Sequence, residues 1–147
     1  MSGAHSHFIH MAGQSTLEDS AQSTNNFYRR TLHVLSDGGV PFLVGGSHAF
    51  LEYTGIVRNT KDFDLFVHPR DVQPALDTLG GAGCETDLCF PHWLAKAYNP
   101  GTADFIDVIY SSGSGIAVVD DEWFTHSVPE TVLGIPVLTR WAVDRYA

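Results

Sequence analysis

At 147 residues, with 44% hydrophobic and 17% charged content, the chain has the size and composition of one globular domain and is too short for two independent cores. A formal net charge of −9 with only eight Lys and Arg argues against a broad nucleic-acid groove, because phosphate contacts need clustered cations. No apolar run is long enough to span a bilayer and no basic-then-apolar stretch opens the chain, so neither a membrane span nor a secretory signal is expected, and a cytoplasmic location is.

Residues 1–14 hold Gly, Ser and the histidines His5, His7 and His10 without periodicity, and read as a disordered leader ahead of a single domain over 15–147. Ser15, Thr16, Leu17 and Glu18 have the form of a capping box, Tyr28, Leu32 and Leu35 fall at helical spacing, and Gly38-Gly39 ends that helix. An apolar strand over 40–44 then runs into a turn made of Gly45, Gly46 and Ser47. The two glycines allow close backbone approach, and Ser47 suits the N-cap of a short helix over 48–53. Free N–H groups at such a helix start favour phosphate. His48 reads as a solvent-facing first-turn residue beside it.

Fifteen residues after Ser47 comes Asp62-Phe-Asp-Leu-Phe-Val67, a strand in which Asp62 and Asp64 share one face. Paired carboxylates repel and resist desolvation, and a hard cation is the usual reason to place them together. The loop ahead of them carries Arg58 and Lys61, able either to neutralise the pair or to hold a triphosphate. Arg58 is the better phosphate ligand because a guanidinium forks onto two oxygens.

Val72, Ala75, Leu76 and Leu79 form the stripe of a packing helix closed by Gly80-Gly81. A strand over 84–90 follows, then a strand or short helical turn over 93–98 containing Trp93 and Lys96, with His92 just ahead. Cys84 and Cys89 are five apart in that first strand and would face opposite sides, so no disulfide is expected. The next apolar strand, 105–110, carries Asp107 between Ile106 and Val108. Asp104, three residues earlier, would face the other way and reach water unaided. A charge at 107 is expensive unless a cation meets it, so Asp107→Asn is expected to leave the metal-free protein as stable or stabler. Ser111 to Gly115 reads as a flexible connection, Asp120, Asp121 and Glu122 as a solvated helix start, and 131–138 as a small edge hairpin.

A strand, Gly45-Gly46-Ser47, a short helix, Asp62-x-Asp64 on the next strand, and Asp107 in a later apolar strand together resemble the nucleotidyltransferases of the DNA polymerase β superfamily, over roughly residues 30–138. The likeness is nearest to small stand-alone bacterial proteins of that kind, some of them members of toxin–antitoxin pairs. It implies an α/β (α+β) fold, a small mixed β-sheet with helices packed mainly on one face. It also implies transfer of an NMP group from an NTP such as ATP to an acceptor hydroxyl, with release of pyrophosphate. Asp62, Asp64 and Asp107 would be the catalytic carboxylates and ligands of Mg²⁺, or Mn²⁺ in its place. Gly45, Gly46, Ser47, Arg58, Lys61 and Lys96 would hold the nucleotide.

The acceptor stays open among a protein side chain, a tRNA end and a small molecule. Similar proteins continue into further C-terminal helices, so this chain is expected to end short, its Trp141, Val143 and Tyr146 covered by a second copy or a partner protein. Two other readings stand beside the enzyme. One is a catalytically silent nucleotide-binding or antitoxin-like module of the same fold; the other is an unrelated α/β domain whose Asp face is merely wet.

Overall fold

The computed structural model describes residues 12–45, 63–112 and 117–140. The first described element is helix α1 (Ala12–Asp37). Thr24, Phe27, Tyr28, Thr31, Leu32 and Leu35 are buried at the i, i+3, i+4 spacing of a single helical stripe. The helix stops where Gly39 adopts φ 73°, a left-handed conformation open to glycine, and Val40 N–H closes back on Leu35 O at 3.1 Å. Because α1 already includes Ala12, the Ser15–Glu18 pattern lies inside the helix rather than at its N-cap, and the helix reaches three residues ahead of the expected boundary.

Among the described residues, seven strands make one mixed sheet in the order β3-β4-β5-β2-β1-β7-β6. They are β1 (Leu43–Gly45), β2 (Asp64–Phe66), β3 (Glu85–Phe90), β4 (Leu94–Tyr98), β5 (Phe105–Ile109), β6 (Val128–Val132) and β7 (Ile135–Arg140). β2 pairs parallel with β5 and β1 parallel with β7, while the other neighbours are antiparallel. A 3-10 turn (Pro69–Asp71) leads from β2 into α2 (Val72–Gly81), and α3 (Asp121–Thr125) follows β5.

One sheet face is dry. Phe63, Leu65, Val67, Ala95, Ala97, Ile106 and Val108 are essentially inaccessible and join the buried stripes of α1 and α2 in one core. The rings of Tyr28 and Phe63 stack there with centroids 4.2 Å apart. Each large aliphatic side chain buried in this way contributes about 1.5–3 kcal/mol relative to exposure. The alternate residues of the central strands, Asp64, Phe66, Lys96, Phe105 and Asp107, face the other side and are only partly buried. The sequence alternation therefore decides which face meets α1 and α2 and which carries the charged side chains.

Three local expectations change. Gly45 is the last residue of β1 rather than part of a turn, because it continues the ladder with β7 opposite Arg140. The stretch 94–98 is a strand, paired on both sides by β3 and β5. The C-terminal hairpin is β6–β7, but only β6 lies at the edge; β7 is inserted beside β1. The expected helix over 48–53 and the loop ahead of Asp62 lie outside the described residues.

Candidate active site

The centre of the open face is a row of charged side chains drawn from four adjacent strands. In the ladder, Asp64 of β2 is directly opposite Asp107 of β5, Asp107 is opposite Lys96 of β4, and Lys96 is opposite Asp87 of β3. Residues paired across a sheet project to the same side, with Cα atoms about 4.5–5.5 Å apart. The row therefore reads carboxylate, carboxylate, ammonium, carboxylate. The structure thus brings together three of the expected residues, Asp64, Asp107 and Lys96. Gly46, Ser47, Arg58, Lys61 and Asp62, with His48, lie outside the described residues.

Lys96 is held from two directions. Its Nζ donates to Asp107 Oδ1 at 2.5 Å, and the same ammonium lies 4.3 Å from the centroid of the Phe105 ring. Both ion-pair side chains are about three-quarters buried, so solvent screens them less than a surface pair. Lys96 therefore supplies the cation that Asp107 requires. Next to it on β3, the Cys89 thiol lies 3.3 Å from Asp87 Oδ2. Burial, and then the hydrogen bond and charge of Asp87, push the Cys89 thiol up from its ordinary value. Cys84 and Cys89 are both free thiols.

Gly45 borders the pair from the β1 side. A methyl group built on it would sit 3.4 Å from Asp64 Cβ and 3.8 Å from the Phe66 ring, in ordinary contact. Gly45 has no positive φ that would require glycine, so what it brings to the site is the absence of a side chain beside Asp64. On the far side, α3 walls the face: Trp123 packs on Phe66 with centroids 5.2 Å apart. That wall is anchored by His68, whose Nε2 lies 2.8 Å from Asp121 Oδ1 and whose ring stacks on Phe124 at 4.5 Å. Asp120 caps α3 by accepting from Glu122 N–H at 3.0 Å.

Asp104 points away from this face. It accepts a hydrogen bond from Thr24 Oγ1 of α1 at 2.8 Å, tying the helix to the start of β5. His92 also lies elsewhere, lining an open groove of about 560 Å³ with Leu88, Pro91, Val72 and Tyr110. Asp87, Phe105 and Trp123 were not among the expected site residues. Opposite charges nine apart across the turn at Pro91-His92 were the available signal for Asp87. Nothing local in the sequence points to Phe105 or Trp123.

Two carboxylates on neighbouring strands project to one side, and one of them, Asp107, already meets an ammonium; carboxylate oxygens are the donor type a hard divalent cation takes. Among the described residues, no cluster of three or more His, Cys, Asp or Glu side chains is arranged to hold a metal ion. No helix among them is long and apolar enough to cross a membrane.

No protein-family model matches this chain, and no curated protein matches it. Among solved structures it is similar to the crystal structure of ANT(2")-Ia in complex with adenylyl-2"-tobramycin, with a TM-score of 0.57 and 18% sequence identity, over 80% of this chain and 69% of that one. ANT(2")-Ia is an aminoglycoside nucleotidyltransferase. The mixed α+β architecture is thus that of a nucleotidyltransferase fold.

Proposed function

We propose that this chain is a metal-dependent nucleotidyltransferase that moves an NMP group from an NTP to an acceptor hydroxyl. The observation that carries this reading is the direct register of Asp64 with Asp107 on parallel strands, on the sheet face that, among the described residues, no long helix covers. In the step, the acceptor oxygen bonds to the α-phosphorus as the bond to the β-phosphate bridging oxygen breaks. Pyrophosphate leaves and the hydroxyl proton passes to solvent. Asp64 and Asp107, joined by Asp62 from the residue two ahead, would hold Mg²⁺ or Mn²⁺. When bound, such an ion neutralises phosphate charge and lowers the pKa of the acceptor hydroxyl. Gly45 leaves room above Asp64, while Gly46, Ser47, Arg58 and Lys61 are assigned to the triphosphate. ATP is the first nucleotide to assay, and the acceptor candidates are a small-molecule hydroxyl, a protein side chain and a tRNA end. The adenylylated sugar in the ANT(2")-Ia complex makes the small molecule the first choice.

Transfer of label from an α-³²P NTP tests the proposal. Asp64→Asn and Asp107→Asn should each lower it at least about a hundredfold. Equal activity in both variants and parent would remove the site assignment. One observation favours the silent, antitoxin-like module instead: Lys96 already neutralises Asp107. That reading predicts stabilisation by MgNTP with no label transferred to any acceptor.

A further inference from the structure

The charged row extends one strand beyond the carboxylate pair, and its order suggests how the site handles cations. Lys96 stands between two carboxylates, Asp107 on β5 and Asp87 on β3, each directly opposite it in the ladder. It is bonded to Asp107, on the side where the proposed metal would sit. Asp107 accepts the ammonium through Oδ1 from the β4 side, and a divalent ion between Asp64 and Asp107 would bring a second, repelling cation against the same carboxylate. Asp87, on the outer side, is exposed, with one carboxylate oxygen in contact with the Cys89 thiol.

We propose that Lys96 is a resident counter-cation that competes with the divalent ion for Asp107, and that Asp87 receives its ammonium when the ion binds. This rests on the metal reading of Asp64 and Asp107 above. With the cation site empty, Lys96 relieves repulsion between the two carboxylates, and Phe105 holds it in place through the face of its ring. On cation entry the ammonium needs only to rotate about its own stem to meet the carboxylate on the opposite neighbour. No bond to carbon changes and no proton moves; one ion pair is exchanged for another. The consequence is a threshold: the site loads only when the incoming ion outcompetes a built-in one. A divalent ion delivered with its nucleotide, which adds further attraction, does so more readily than the ion alone.

The chain has two lysines, Lys61 and Lys96, so their ammonium groups can be told apart by NMR with a single Lys61→Arg variant. In the parent protein, titration with Mg²⁺ should shift the Lys96 ammonium ¹H–¹⁵N signal, and Asp87→Asn should change where it ends. A Lys96 signal that stays unmoved while Mg²⁺ binds would overturn the proposal. Mn²⁺ binding followed by electron paramagnetic resonance supplies the second arm. Lys96→Met should bind Mn²⁺ roughly fivefold more tightly than the parent, as a competing pair of this exposure is lost. Equal or weaker binding in Lys96→Met, with clear binding in the parent, overturns the competition alone. Absence of Mn²⁺ binding from both proteins overturns the metal reading and the competition together.

Discussion

Asp104 and Asp107 look alike in the sequence, and their environments separate them. Asp107→Asn removes the negative charge that pairs with the Lys96 ammonium and leaves that cation, about three-quarters buried, beside a neutral amide. The metal-free protein should therefore lose about 0.5–1 kcal/mol, the reverse of the stabilisation expected when only like-charge repulsion is considered. Urea unfolding of the variant checks the sign. Asp104→Asn keeps an oxygen that Thr24 can donate to, so it should cost under about 1 kcal/mol and leave label transfer intact. A dead Asp104→Asn enzyme with an active Asp107→Asn would place the chemistry on the wrong side of β5. Gly45→Val makes a third test. A methyl there fits at 3.4 Å from Asp64, but the larger branch fills the space above the carboxylate. Folding should survive, and Mn²⁺ affinity should fall by about tenfold or more. Unchanged affinity would mean that Gly45 is only a strand residue.

The elements around the row differ in how firmly they hold it. α1 grips β2 through the stacked Tyr28 and Phe63 rings, one residue before Asp64. Tyr28→Ala empties a fully buried site and should cost about 3–5 kcal/mol, read as a fall in the urea midpoint without a change in slope. A loss under about 1 kcal/mol would show that α1 is not part of the cooperative core. α3 is a weaker unit, five residues long, held by its Asp120 cap, the His68–Asp121 contact and ring contacts to Phe66 and His68. Asp120→Ala should destabilise it by about 1 kcal/mol. Because short elements open locally, hydrogen exchange over 121–125 should speed up more than global unfolding does. Uniform acceleration across the sheet would instead make α3 integral to the core.

For the whole molecule, the net charge of −9 works against holding an anionic nucleotide, so binding must draw on a local cation arrangement rather than on overall charge. A ligand that binds the folded state stabilises it by mass action. MgATP at about a hundredfold excess over its Kd should raise the melting temperature by roughly 5–10 °C for a chain of this length. Magnesium or ATP added separately should do less. A scan of all four NTPs with Mg²⁺ that shifts nothing would remove nucleotide binding from the proposal. The cysteines add an independent check on packing. Burial raises the thiols of both Cys84 and Cys89, so each should alkylate slowly at pH 8 and speed up as pH rises beyond the usual thiol range. Rapid labelling of either at neutral pH would contradict the packing around it.

Much of this architecture was legible along the chain because alternation and helical spacing are local properties. Phe63, Leu65 and Val67 against Asp64 and Phe66 already separate a dry face from a wet one, and Val72, Ala75, Leu76 and Leu79 already mark a packing helix. The resemblance carried by Gly45-Gly46-Ser47, Asp62, Asp64 and Asp107 points to the nucleotidyltransferase fold, and the architecture has that form. Cross-strand register was not legible, since no local rule says which residue of β3 or β4 stands beside Asp107. Hence no local pattern singles out Asp87 or the Lys96–Asp107 pair. The position of β7 inside the sheet was hidden for the same reason: its pairing with β1 joins residues nearly a hundred positions apart. Local periodicity tells each strand which side to bury, but the order of strands follows from long-range pairing and packing, and that order is what assembles the charged row.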